Sequence, residues 1–369
     1  MTSENIRRQL KRAALLLVPL TLTLMLLFLD DPNKSICGEI AILRSKFWES
    51  SGNLKLTQHT TQHLNNKSIL DVPPSQEWIQ KRLQETRIML GYPAITHSTI
   101  WNCSQPRHTY YFPNINTIFT GIPKSGCSNW ILLLLQAEGA LDNSTVQPGA
   151  NEVDIVHTEY SNKYRLDRND NPARATRAAR RNVLSFTVVR NPWVRLVSGY
   201  MDKLTGQGDK NRRFDYLAGF IARDMNKRDG VRGWTAKYPT FDQFVRWLPD
   251  NMGRGIVNDH FTPQYRTLCI PAANYDYVLP LEFASYYSTE IIQKINTTFQ
   301  LWGSYDKTAD PRTQTSALKA KEWLSGQDPA LIDRIYKIFE PDFALMNYSS
   351  FDHPDFPLPL YNPDNYIHT

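Results

Sequence analysis

Cysteine is scarce in this chain: four residues among 369, at positions 37, 103, 127 and 269. Their spacing matches no zinc-binding pattern. The tripeptide Asp-x-Asp is missing, which removes the usual metal and nucleotide-sugar site of a glycosyltransferase. No set of His, Cys and carboxylate residues stands at metal-ligand spacing. Internal repeats and low-complexity tracts are absent. Apolar runs of membrane length are lacking too, apart from a marginal one at residues 13–29.

What is present points to a globular protein with a sizeable core, since 41% of residues are apolar and 12% aromatic. The net charge of +6 suits an anionic partner. Nucleic acid, acidic lipid, a phosphorylated cofactor and a polyanionic glycan all stay open on charge alone. Around the apolar run the charges are asymmetric: Arg7, Arg8, Lys11 and Arg12 precede it, and Asp30 and Asp31 follow. Basic residues stay on the cytosolic side, so the rest of the chain is expected to be lumenal behind a type II anchor. A cleaved signal peptide is the competing reading, against which Asp30-Asp31-Pro32 is a poor cleavage site. Glycosylation sequons begin at Asn66, Asn102, Asn143, Asn296 and Asn347, in keeping with a lumenal course. Cys103 and Cys269 are candidates to pair, and Cys37 is placed for a disulfide between two copies in a homodimer; buried free thiols are the alternative.

Residues 30–92 are polar, with a helix expected over 75–90, and read as a stem. The core begins near Ile100. Arg174, Arg177 and Arg180 share one helical face, either a solvated stripe or a polyanion contact. Two strand–loop–helix units stand out. In the first, a short strand over 116–121 runs through a Pro/Gly loop into an apolar helix over 129–139. In the second, the β-branched run 183–189 leads through Arg190-Asn191-Pro192 into a helix over 193–203. Further helices are expected over 241–248, 285–295, 319–323 and 329–339. Strands interleaved with helices predict an α/β fold with a parallel sheet.

Gly121-Ile122-Pro123-Lys124-Ser125-Gly126-Cys127-Ser128 comes close to the spacing of a phosphate-binding loop. Glycines let backbone N–H groups converge, and the following helix N-terminus favours an anion. Cys127 occupies the place of the kinase lysine, and no acidic magnesium ligand ends another strand, which excludes a P-loop kinase. Arg190 and Ser198, about two turns apart, can converge on a second phosphate.

At these residues a resemblance emerges. Pro123-Lys124-Ser125-Gly126-Cys127-Ser128-Asn129 resembles the 5′-phosphosulfate loop of sulfotransferases, and the segment from Arg190 through Ser198, continuing to Lys203, is similar to their 3′-phosphate motif. More narrowly, both resemble the Golgi carbohydrate sulfotransferases, the group that includes the HNK-1, chondroitin and dermatan 4-O enzymes. A third block, Asp259-His260-Phe261-Thr262-Pro263-Gln264-Tyr265, then Cys269, then Tyr275-Asp276-Tyr277-Val278 and Leu281-Glu282, is similar to the same group. Ser128 stands for the usual threonine, Ile131 for a basic residue, Phe261 for tryptophan, and Ala272 falls where a second cysteine is usual.

The resemblance implies a P-loop-NTPase-like sulfotransferase fold, with a central parallel sheet flanked by helices behind a transmembrane helix and stem. Its expected divisions are a cytoplasmic tail (1–12), a signal-anchor (13–29), a lumenal stem (30–99) and a catalytic domain (100–369), in a Golgi membrane. It implies in-line transfer from 3′-phosphoadenosine 5′-phosphosulfate to a glycan hydroxyl, with no metal and no nucleic acid. Pro123, Lys124, Ser125, Gly126, Cys127, Ser128 and Asn129 are expected around the 5′ group. Arg190, Asn191, Pro192, Trp193, Val194, Arg195, Leu196, Val197 and Ser198 are expected around the 3′-phosphate, with Arg190 and Ser198 as direct contacts. Arg195 is either a secondary contact or an ion-pair partner on the helix surface. Lys124 is the expected charge stabiliser, and His157 or His260 the general base. The acceptor is read first as the 4-hydroxyl of N-acetylgalactosamine in chondroitin or dermatan. Terminal glucuronic acid or N-acetylgalactosamine on glycoproteins comes next, and a non-enzymatic lumenal glycan-binding protein is the rival of another class.

Overall fold

In the computed structural model the described residues are 73–92, 108–141, 159–166, 183–206, 213–233, 236–254, 256–268, 275–295, 311–353 and 355–359. All belong to the second of two units in the chain, Lys67–Thr369. The expected anchor at 13–29, the Arg174–Arg177–Arg180 stripe, His157, Cys37, Cys103, Cys269 and the sequons at Asn66, Asn102, Asn143 and Asn296 lie outside the described residues. Among the described residues no helix is long and apolar enough to cross a membrane.

Among the described residues four strands form the sheet in chain order: β1 (Thr109–Phe112), β2 (Thr117–Thr120), β3 (Leu184–Val189) and β4 (Tyr277–Pro280). β2, β3 and β4 run parallel, with Phe119 opposite Phe186 and Thr187 opposite Val278. β1 runs antiparallel to β2, so the sheet is mixed, and the expectation of a purely parallel sheet is corrected at this edge. The reversal takes four residues, 113–116, and Asn116 turns the corner at φ 47°, a conformation that asparagine tolerates better than most residues. The outer edge of β1 is covered: Tyr111 N–H donates to Tyr164 O, and Leu166 N–H to Thr109 O. All four residues of β2 are buried, as are the last five of β3, because helices cover both faces.

The helices are α1 (Gln76–Met89), α2 (Cys127–Ala137), the short α3 (Glu159–Asn162), α4 (Pro192–Lys203), α5 (Asp215–Arg228), α6 (Phe241–Asn251), the short α7 (Gln264–Thr267), α8 (Ala284–Ile295), α9 (Pro311–Ser325) and α10 (Pro329–Met346). Local chemistry sets their starts. Asn191 caps α4 by accepting from the N–H groups of Trp193 and Val194, with Pro192 in the first turn. Thr240 and Gln243 form a reciprocal capping box on α6. Two helices run past a proline at which the sequence predicts an end: α6 through Pro249 and α10 through Pro341. The extra turns are held by burial, since Asn251, Asp342, Phe343, Leu345 and Met346 all lie inside.

Two aromatic groups fill the core. The Phe186 ring lies 4.9 Å from both Phe119, which is tilted to it, and Trp130, which meets it edge-on, joining β2, β3 and α2. On the far side Tyr200, Phe241, Phe244, Phe261 and Trp323 pack α4, α6 and α9 together. α1, which the sequence places in the stem, packs against β4 and α10. Trp78, Ile79 and Leu83 of α1 are buried, and Gln80 donates to Tyr275 O at 2.6 Å. The packed body therefore starts ahead of residue 100, because α1 closes over apolar surface that β4 and α10 would otherwise expose. Leu83→Ala is expected to destabilise the protein by about 2–5 kcal/mol, the range for emptying a buried leucine site. Urea unfolding checks this; an unchanged midpoint would mean that α1 is only a spacer.

Candidate functional site

The two loops singled out by the sequence emerge side by side, because β2 and β3 are adjacent and parallel, with Thr120 opposite Thr187 and β3 running two residues further. Loop 121–126 follows β2, and Gly126 caps α2 at φ 77° with no side-chain cap bond. Residues 126–129 are only partly buried, so the first turn of α2 faces outward with its partial positive charge. Lys124 also sits at positive φ, 68°, which costs a non-glycine residue about 1–3 kcal/mol. Such strain persists where the surroundings over-determine it. Gly121 has a packing reason of its own: an added Cβ would lie 3.2 Å from Cys127 Cβ and 3.3 Å from Phe119.

Arg190, at the end of β3, donates from its guanidinium to the Lys124 carbonyl at 3.1 Å. The two expected anion loops are thus in direct contact. Gln264 of α7 fastens them further. Its side-chain oxygen accepts from Arg190 N–H at 2.9 Å and from Ser125 Oγ at 3.3 Å, while its Nε2 donates to Arg190 O at 2.8 Å. Asp342, from α10, accepts the backbone N–H groups of Gln264 and Tyr265 at 2.6 and 2.9 Å. Burial pushes the Asp342 carboxyl up to about 6, against those two donors and the Arg195 charge.

Arg195 settles the alternatives left open for it in a third way. It is fully buried and donates to the carbonyls of Pro123 at 2.9 Å, Thr262 at 2.7 Å and Asp259 at 2.8 Å. It is neither on the surface nor turned to a ligand; it ties the first loop to the third block. Burial lowers its pKa to about 10, which still leaves it charged at neutral pH. Trp193, Val194, Leu196 and Val197 are core residues, and Asn191 and Pro192 build the start of α4, so these six support the 3′ motif from behind. Asn191 N–H also donates to Glu282, and its Nδ2 to Pro357 O. Ser198 is the part-exposed member of the motif, one turn before Asp202 on the same helical face.

Asp202 falls within the continuation of the second motif, but sequence reasoning assigned it no role. It takes Lys124 Nζ at 3.1 Å and Lys203 Nζ at 3.0 Å. Burial pulls the Lys124 ammonium down from its usual range, and Asp202 works against that loss. Cys127 is a neutral thiol, pushed up by burial despite the nearby lysine. His260 stands at the same cluster. Burial drives its pKa well below the usual imidazole value, with Lys203, Lys124 and Arg195 acting in the same direction and Asp202 opposing them. Its ring is therefore neutral at pH 7. The structure thus brings Lys124, Arg190, Ser198 and His260 into one neighbourhood. Among the described residues no cluster of His, Cys, Asp and Glu could hold a metal ion.

A sequence profile of the sulfotransferase family matches residues 107–349, the stretch that carries both loops and the third block. This chain belongs to the sulfotransferase family. It is similar to carbohydrate sulfotransferase 12 of Xenopus laevis, 26% identical over 63% of this chain and 57% of that protein. It is similar to carbohydrate sulfotransferase 11 of Mus musculus, 24% identical over 63% of this chain and 64% of the relative. With carbohydrate sulfotransferase 10 of Danio rerio it shares 25% identity over 73% of this chain and 74% of the relative. The first two matches thus span less than two thirds of the relatives' length. No solved structure matches the chain. The mixed sheet flanked by helices is consistent with a sulfotransferase fold.

A stability test follows from Asp342. Its folded pKa, about 6, lies above the ordinary aspartate range, so the folded state holds the proton more tightly. That contribution is fully present below the unfolded pKa and is lost as pH rises through about 6. Urea unfolding of the wild type and Asp342→Asn from pH 4 to 7.5 should show the wild type's advantage shrinking as pH rises. A constant difference would contradict it.

Proposed function

We propose that this chain transfers a sulfuryl group from 3′-phosphoadenosine 5′-phosphosulfate to a hydroxyl of a glycan. The observation that carries the reading is the direct contact of the two anion loops through Arg190 and Lys124, at 3.1 Å, with Gln264 holding both. The donor set fits a nucleotide with a phosphate at each end. An outward helix N-terminus and Lys124 suit the 5′ group, and Arg190 and Ser198 suit the 3′-phosphate. The nucleotide supplies an activated sulfuryl group and a phosphate that can leave.

Lys124 places its charge where negative charge builds on the leaving phosphate, in a partly buried setting that strengthens the effect. Asp202 keeps that lysine charged and in place. A histidine takes the proton of the acceptor hydroxyl, which is too weak an acid to react unaided. His157 and His260 are the two expected bases; His260 lies at the cluster, and His157 lies outside the described residues.

For the acceptor, the 4-hydroxyl of N-acetylgalactosamine in chondroitin or dermatan is the first choice, supported by the basic charge and the carbohydrate sulfotransferase relatives. Terminal glucuronic acid or N-acetylgalactosamine on glycoproteins is the second. The same reading makes the chain a Golgi enzyme held by residues 13–29 as a type II anchor, with Asn347, exposed at the end of α10, on the lumenal side. A non-enzymatic glycan-binding protein would have no use for the joined loops.

Adenosine 3′,5′-bisphosphate is expected to raise Tm where ATP and UDP-sugars do not. Lys124→Ala should lower kcat about 100- to 1000-fold, the range for losing one preorganised charge stabiliser, with radiolabelled transfer to desulfated chondroitin and dermatan as the measurement. Stabilisation by UDP-sugars alone would refute the reading. Alanine at the true base should abolish turnover and leave bisphosphate affinity nearly unchanged, so His157→Ala and His260→Ala, compared side by side, separate the two histidines.

A further inference from the structure

Asn258 lies two residues before His260 and makes two contacts with it. Its side-chain oxygen accepts the backbone N–H of His260 at 3.0 Å and stands 2.5 Å from His260 Nδ1. A backbone N–H can only donate, so the Asn258 atom at this point is the carbonyl oxygen and not the amide nitrogen. That oxygen can only accept, so Nδ1 of the neutral ring must carry the hydrogen. Nε2 then keeps its lone pair, and among the described residues no group bonds it. The hydrogen bond at one ring nitrogen sets the chemistry of the other.

Resting on the sulfuryl-transfer reading, we propose that Asn258 is a positioning residue that holds His260 in the Nδ1–H tautomer and so makes Nε2 the atom that takes the acceptor's proton. A ring with its hydrogen on Nε2 would present a donor where a base is needed. The surroundings keep the ring neutral, so that its tautomer matters. Lys203, Asp202 and Arg195 face it from α4, and Lys124 from the loop after β2. Phe214, at the start of α5, packs its ring 5.2 Å away in a T-shaped contact, with Lys203 Nζ 4.8 Å over the Phe214 face. The backbone is pinned as well: an added Cβ at Gly199 would meet His260 O at 3.2 Å and Phe261 at 3.0 Å. Ring position and tautomer are thus set by separate devices, α4 for the first and Asn258 for the second.

In the step itself the hydroxyl oxygen bonds to sulfur as its proton passes to Nε2. The bond from sulfur to the phosphate oxygen breaks, and its electron pair stays on the phosphate, beside Lys124. The imidazolium keeps its Nδ1–H on Asn258 throughout. The proton is released to solvent afterwards, so the histidine is unchanged over a cycle.

Long-range proton–nitrogen spectra of the full chain labelled at histidine read the tautomer directly, with His260→Gln assigning the signal. The wild type should show Nδ1–H at His260. Asn258→Ala should shift the ring towards Nε2–H and lower kcat roughly tenfold to a hundredfold, with affinity for adenosine 3′,5′-bisphosphate unchanged. Asn258→Asp should restore the tautomer and much of kcat, and move the acid limb of the kcat/KM profile to higher pH, because a carboxylate favours imidazolium. An Nε2–H ring in the wild type, or wild-type kcat in Asn258→Ala, overturns the proposal. Failure of the wild type to bind the bisphosphate overturns the function reading itself, and this proposal with it. Binding and transfer that survive while the Asn258→Ala spectrum is unchanged overturn this proposal alone.

Discussion

The buried guanidinium of Arg195 is the constraint on which the site depends. Taking such a charge out of water costs several kcal/mol unless its donors are satisfied. Here three carbonyls meet it, from Pro123, Asp259 and Thr262, which belong to two segments far from α4 in sequence. The arrangement works in both directions. The carbonyls make burial of the charge tolerable, and the planar, forked guanidinium leaves the loop after β2 and the loop before α7 little freedom relative to α4. Lysine could not replace it, because its three donors radiate from one nitrogen, whereas here Nε, Nη1 and Nη2 each reach a different carbonyl.

Around that anchor the site carries an excess of positive charge: Lys124, Arg190, Arg195 and Lys203, set against Asp202. Such a set costs energy in the protein on its own, through mutual repulsion and lost hydration. An anion with a phosphate at each end would relieve it. The same field has a second effect, since cations that attract a phosphate also discourage protonation of His260. On the proposed reading, one set of charges serves both ends of a sulfuryl transfer, holding the leaving group and keeping the imidazole neutral.

Much of the framework is legible in the sequence because it is local. The starts of α2 and α4, the strands before them and the expectation that Lys124 and Arg190 lie close all follow from short-range patterning and the adjacency of consecutive parallel strands. Other elements carried weaker signals. β1 is only four residues long and antiparallel, so it left no periodic trace. Pro249 and Pro341 suggested helix ends that tertiary burial overrode. Arg195 read as either a secondary phosphate contact or a surface ion-pair partner, because no sequence pattern tells which side of a helix is inside when the residue is charged. Asp202, Asp342 and Asn258 were assigned no role, since their partners lie far off in the chain or, for Asn258, in a loop with no periodicity.

By itself, then, the chain of residues determined the two strand–loop–helix units, the turns proposed to hold anions and the family. These depend on hydrogen bonds and side-chain spacing within a few residues. Only the tertiary structure decided that Gln264 clasps both turns, that α1 belongs to the packed body, and that the Asn258 oxygen stands against His260 Nδ1. Each of those depends on where a carbonyl, carboxylate or apolar face is delivered in space, and that is set by packing rather than by neighbours in sequence.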